Sequence, residues 1–130
     1  MNTEIDKLAW LHIQNNQVLM ARSKGKEKFY LPGGKREQGE DDNAALIREI
    51  KEELCVDLFP NTIKYAGTFL AQADGKPEGY NVKLTCYTAD FQGECKADQE
   101  IEEIRWIGYQ EREKCSLAAQ IVLDFLKEKQ

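Results

Sequence analysis

The chain is poor in the residues that build soft metal sites. It has one histidine, His12, and four cysteines, Cys55, Cys86, Cys95 and Cys115, none at CxxC spacing. That spacing argues against a zinc site. Cys55 and Cys86 are expected to be small buried hydrophobes, and His12, alternating with apolar neighbours on a strand, a packed or edge residue. No apolar run approaches the roughly 20 residues of a membrane-spanning helix. The opening MNTEIDKLAW lacks a basic region followed by an apolar one, so no signal peptide is expected. Isolated cysteines without such a signal fit a reducing cytoplasm. Positive charge is also short, with 18 Lys and Arg against 23 Asp and Glu, net −5. That balance argues against a general nucleic-acid coat protein. There is no repeat, low-complexity tract or linker.

What remains is an ordinary globular composition. With 130 residues, 42% of them hydrophobic, the chain is expected to form one domain, residues 1–130, with a real core. Leu8 to Ile13 and Val18 to Arg22 read as strands around an Asn15-Asn16 turn, a hairpin pattern. A loop, SKGKEK, leads to a short extended piece, Phe29 to Leu31, stopped by Pro32. Gly33 and Gly34 let the backbone turn tightly and approach a ligand. A helix is predicted from Asp41 or Asp42, both suited to an N-cap, to about Leu54. Thr62 to Ala73 and Tyr80 to Phe91 read as strands joined by DGKPEG, a strong turn signal. An acidic loop, Glu94 to Glu103, precedes a short strand, Ile104 to Ile107. Ser116 caps a last helix, Leu117 to Lys127, with Leu117, Ile121 and Phe125 on one side. Helices bracketing a mixed sheet give an α/β sandwich.

The most informative stretch is Gly34 to Val56, GKREQGEDDNAALIREIKEELCV. At about 100° per residue, Glu49, Glu52 and Glu53 fall within a sector of about 100°. Ile47, Ile50 and Leu54 form a second sector, centred about 140° away. One helix thus carries an apolar face for the core and a carboxylate face. Like charges at these spacings repel by a few tenths of a kcal/mol per pair. A hard divalent cation beside a phosphate would turn that cost into a gain. Between Arg22 and Arg36 lie Arg22, Lys24, Lys26, Lys28, Lys35 and Arg36, against a single acid, Glu27. This local basic patch could steer a polyphosphate.

The stretch fits Gly-x5-Glu-x7-Arg-Glu-apolar-x-Glu-Glu-x-x-apolar, with Gly34, Glu40, Arg48, Glu49, Ile50, Glu52, Glu53 and Val56 in place. It resembles the Nudix box, the signature of hydrolases that cut nucleoside diphosphates linked to another group. Average residue usage puts a chance match on the order of one in a million, so the family is specified and the substrate is not. One position departs: the family's glycine before the last apolar residue is Cys55 here. A glycine there suits a left-handed helix end, where cysteine would cost about 1 kcal/mol.

The resemblance implies a Nudix-type α/β/α sandwich with a mixed β-sheet over nearly the whole chain. It implies Mg²⁺, with Mn²⁺ as an alternative, held by Glu49, Glu52 and Glu53, the Gly34 carbonyl and Glu100. Glu52 or Glu53 would be the base, with Glu49 and Glu100 as further candidates. Arg48 would orient Glu49 or offset the carboxylate charge. Arg22, Lys35 and Gly33 would hold the substrate's phosphates, Arg22 at a position where MutT-like members often carry a phosphate-binding arginine. The expected partner is a small nucleotide, with no DNA or RNA polymer and no membrane; a homodimer stays open. Neither a proline nor a tyrosine tag of the ADP-ribose or dinucleoside polyphosphate subfamilies is evident near Ala71-Gln72-Ala73. By elimination, the chain is similar to MutT-like nucleoside triphosphate pyrophosphohydrolases, with oxidised dNTPs among the candidates. The alternatives are hydrolysis of ADP-ribose, a nucleotide sugar or a dinucleoside polyphosphate; a non-catalytic nucleotide sensor; and a plain acidic helix without a ligand.

Overall fold

The computed structural model describes residues 3–129. Strands β1 (Thr3–Trp10), β4 (Gly33–Gly34), β6 (Lys64–Gln72) and β7 (Tyr80–Thr88) form a mixed sheet in the order β4-β1-β7-β6. β1 runs parallel to β7 and antiparallel to β4. Strands β2 (Ile13–Gln14), β3 (Gln17–Ser23) and β9 (Ile101–Ile107) form a second, antiparallel sheet in the order β2-β3-β9. A small ladder joins β5 (Asp57–Leu58) to β8 (Phe91–Gln92).

Side-chain alternation explains why helices lie on both sides. Successive residues of a strand point to opposite faces. Leu8 and Trp10 of β1 and Leu19 of β3 pack with helix α1 (Asp42–Leu54), through Ala45, Leu46, Ile50 and Leu54. Ala9 of β1 and Val18 and Met20 of β3 belong to the other core, with helix α2 (Leu117–Glu128). The result is the α/β/α sandwich expected. Each fully buried leucine or isoleucine contributes roughly 1.5–3 kcal/mol. No helix among the described residues is long and apolar enough to cross a membrane.

Local signals place the helix ends. The Asp41 side chain accepts from the Ala44 N–H, and Ser116 does the same for Ala119. α1 ends at Leu54, with Cys55 left-handed at φ 63° and its N–H on the Lys51 carbonyl. Cysteine therefore adopts the conformation that glycine takes at lower cost, and the helix ends where the motif puts it.

Three expectations are corrected. β1 begins at Thr3 and breaks at Leu11, and it pairs with β7 and β4; only the two residues of β2 form the hairpin with β3 across left-handed Asn15 and Asn16. The acidic loop is shorter than expected, because β9 starts at Ile101 and pairs with β3. The buried face of α2 is Ala118, Ala119, Val122 and Leu123, while Leu117 and Ile121 are exposed. His12 is packed as expected, stacked on Trp10 at 4.5 Å.

Candidate functional site

The site begins with the two glycines of β4. Gly33 pairs with Ala9 at φ 147°, and a Cβ there would run into the Leu8 carbonyl oxygen. The close pairing therefore needs glycine. It also aims the Gly33 N–H at Glu53 on α1, which accepts it through Oε1 at 3.1 Å. Gly34 lies against Glu49, and a Cβ there would overlap the Glu49 carboxylate. Two glycines thus bring the strand end and the helix carboxylates together.

Glu53 is not part of a solvated face. Only 7% of it is exposed. Burial pushes its carboxyl up to about 8; the Gly33 N–H pulls the other way, and Glu49, Glu100 and Glu52 push it up further. Burial also raises Glu49, against the opposing pull of Arg48. A carboxyl that binds its proton this tightly is short of positive charge.

Arg48 supplies what positive charge there is. Its Nη1 reaches Glu49 Oε1 at 2.7 Å and Glu52 Oε1 at 2.8 Å. Nε and Nη2 reach Glu40 at 2.7 and 2.9 Å, and Nη2 also reaches the Lys35 carbonyl at 3.1 Å. The guanidinium ties the loop before α1 to the helix, a task its planar fork suits. Glu40, held by Arg48 and by the Glu37 N–H, has its carboxyl lowered to about 2.

These groups open into a cavity of about 620 Å³. Its walls include Gly33, Gly34, Lys35, Arg48, Glu49, Glu53 and Glu100. Most of the expected site residues are therefore together. Glu100 arrives from the turn before β9, whose backbone is fixed by the Lys24 N–H on its carbonyl at 2.8 Å. Two expected residues stand apart. Glu52 is half-exposed and outside the lining, turned onto Arg48. Arg22 is also outside it, bound to Glu103 at 3.2 Å and to the Lys26 carbonyl at 3.0 Å. Gly33 spends its N–H on Glu53. Of the basic patch, Lys26, Lys35 and Arg36 line the cavity, and Arg36 is paired with Asp42 and Asp6. Lys7 of β1, half-buried in the cavity wall, escaped the sequence reading. Its signal was a lone cation in an inward-facing row with Ile5 and Ala9.

The donor set suits a hard cation. The Glu49 carboxylate lies against Gly34, whose missing side chain leaves it room, the Glu53 carboxylate meets the Gly33 N–H, and burial leaves both favouring added positive charge. Among the described residues, no three acids, histidines or cysteines are arranged as a metal cluster. Arg48 is the counter-ion of Glu49 and Glu52.

Known proteins share this fold. The NUDIX domain family model matches residues 7–125. An ADP-ribose pyrophosphatase of Methanocaldococcus jannaschii is 32% identical over 93 residues, 69% of this chain and 53% of that protein. The chain thus spans about half the length of that relative. The crystal structure of a MutT protein from Methanosarcina mazei superposes with a TM-score of 0.77 at 17% identity, covering 98% of this chain and 96% of the other. A MutT Nudix hydrolase from Burkholderia pseudomallei gives 0.67 at 21% identity, covering 84% and 86%. With a family match over most of its length, on a shared fold and around a glycine-flanked carboxylate helix, the chain belongs to the NUDIX family.

Proposed function

We propose that this Nudix domain hydrolyses a phosphoanhydride of a small nucleotide with Mg²⁺ as cofactor, Mn²⁺ serving in its place, and that its substrate is a MutT-type nucleoside triphosphate, canonical or oxidised. One observation carries the reading: Glu53, buried and short of countercharge, sits beside Glu49 where Gly34 leaves space at the end of a cavity.

Glu49, Glu53 and the Gly34 carbonyl would hold the cation, with Glu100 and Glu52 completing the set. Bound there, the ion would supply charge to a phosphoryl oxygen and lower the pKa of a water. The protein's own part is orientation. Arg48 fixes Glu49 and Glu52 and locks the loop that carries Lys35. Lys35 and Lys26 face the phosphates. Glu53 is the better candidate for the base, since its carboxylate lines the cavity and that of Glu52 does not. Water attacks one phosphorus, and the other half leaves as a phosphate or a nucleoside monophosphate. The four cysteines are free thiols, which supports a reducing, cytoplasmic setting.

A second reading, ADP-ribose hydrolysis, is favoured by the name of the M. jannaschii relative. The test is product release from a panel of canonical and oxidised dNTPs, ADP-ribose, nucleotide sugars and dinucleoside polyphosphates with Mg²⁺. Turnover of triphosphates by wild type and not by Glu53→Gln supports the proposal. Turnover of ADP-ribose alone replaces it with the second reading, and binding without turnover replaces it with a nucleotide sensor.

A further inference from the structure

β1 lies between β4 and β7, with Lys7 opposite Leu84. Strand alternation puts Lys7 in one row with Ile5, which lines the cavity, and Ala9, which lies in the α2-side core. A half-buried ammonium in such a row is costly unless it meets an anion. Lys7 takes part in no ion pair among the described residues. Burial, and next Lys35, lower its proton affinity; Glu53 and Glu49 act against them, and Lys76 adds to the lowering. Three cations, Lys7, Lys35 and Lys76, therefore converge on one cavity. Lys76 is placed there by construction. The Gln72 amide donates to the carbonyls of Ala73, Lys76 and Pro77 at 3.3, 3.2 and 2.9 Å, and accepts the Gly79 N–H at 3.3 Å. That single side chain wraps the loop between β6 and β7.

We propose that Lys7, Lys35 and Lys76 form a subsite for a third phosphate, so that the cavity selects nucleotides with a terminal polyphosphate over two-phosphate compounds such as ADP-ribose. The inference rests on the hydrolase reading above. Glu49, Glu53 and Glu100 line the same cavity, with Glu53 and Glu49 near enough to Lys7 for their charge to act on it, so the lysines would meet the phosphate chain beside the carboxylates. A terminal phosphate offers compact charge to an ammonium. The corresponding end of ADP-ribose is a neutral sugar.

The test compares wild type, Lys7→Gln and Lys7→Arg. Steady-state kinetics with Mg²⁺ are run on GTP and on ADP-ribose, and calorimetric binding of inorganic tripolyphosphate is run in chelator. Wild type should prefer GTP. Lys7→Gln should lower kcat/KM for GTP about tenfold or more, through KM, as loss of a charged hydrogen bond implies. It should leave ADP-ribose turnover within about twofold and weaken tripolyphosphate binding, and Lys7→Arg should retain most of both. Equal loss on the two nucleotides, a wild-type preference for ADP-ribose, or unchanged tripolyphosphate affinity in Lys7→Gln would overturn the subsite. If wild type hydrolyses neither of these nor any other nucleotide of the panel above, the hydrolase reading falls, and tripolyphosphate binding still decides the subsite. Melting curves confirm that each variant is folded.

Discussion

Replacing Glu53 with glutamine should stabilise the metal-free protein, and by an amount that grows with pH. The Glu53 carboxyl moves from an ordinary 4.5 to about 8 in the fold, because it is buried and faces other carboxylates. A raised value in the fold means that the unfolded chain releases this proton first. Stability from this group is fully present below pH 4.5 and is lost as the pH rises through about 8. Each pH unit inside that window costs up to about 1.4 kcal/mol. Between pH 5 and pH 8 the loss comes to about 3–4 kcal/mol. Glutamine keeps the acceptor for the Gly33 N–H and does not ionise, so its stability lacks that slope. For a chain of this size the gap corresponds to a difference on the order of 10 °C in Tm. The assay is a pair of thermal melts in chelator at pH 5, 6, 7 and 8. Wild type should fall below the variant progressively, and added Mg²⁺ should restore wild type alone. Melting curves that run parallel across this range would refute the reasoning, since they would mean Glu53 ionises as freely folded as unfolded.

Other outcomes follow from the same geometry. Gly34→Ala should leave the strand pairing intact but push Glu49 aside, at a cost of about 1–3 kcal/mol, and should weaken Mn²⁺ binding by calorimetry more than it lowers Tm. Arg48→Lys should lose at least about tenfold in activity, because a single ammonium does not reproduce the fork that joins Glu40, Glu49 and Glu52; Michaelis kinetics should show the loss in kcat. Cys55→Gly should gain up to about 1 kcal/mol by relieving the left-handed cysteine, less what is lost with the Cys55 Sγ to Asp98 contact at 3.4 Å; urea melts report the sign. Leu46→Ala, at a fully buried α1 position, should cost about 2–5 kcal/mol, measured in the same way.

The sequence was clearest where structure is local. The α1 boundaries, the Asp41 and Ser116 caps and the Asn15-Asn16 turn all rest on residues within one turn of each other. Strand pairing was less legible. β1 finds its partner in β7, far along the chain, and TEIDKLAW carries too many polar residues to announce a central strand. The buried face of α2 is not the side that carries Leu117 and Ile121, because small Ala118 and Ala119, with Val122 and Leu123, are the residues the core covers. At the site, the motif gathered the glycines, Arg48 and the carboxylates. It did not reveal that Glu53 is buried, because its partners come from outside the helix: the Gly33 N–H of β4 meets its carboxylate and the Asp98 N–H donates to its backbone carbonyl at 3.0 Å. Nor did it separate Arg22 from the cavity, since the competing partner, Glu103, sits on β9. Lys7 was missed for the same reason: only folding shows which face of β1 lines the cavity.

The most direct measurement is nucleotide hydrolysis with Mg²⁺, followed by product identification, for wild type and Glu53→Gln side by side. Release of pyrophosphate or phosphate from a nucleoside triphosphate by wild type, with at least about a hundredfold loss in the variant, is the expected result. Equal turnover by both proteins would contradict it, because the buried carboxylate would then have no part in the chemistry.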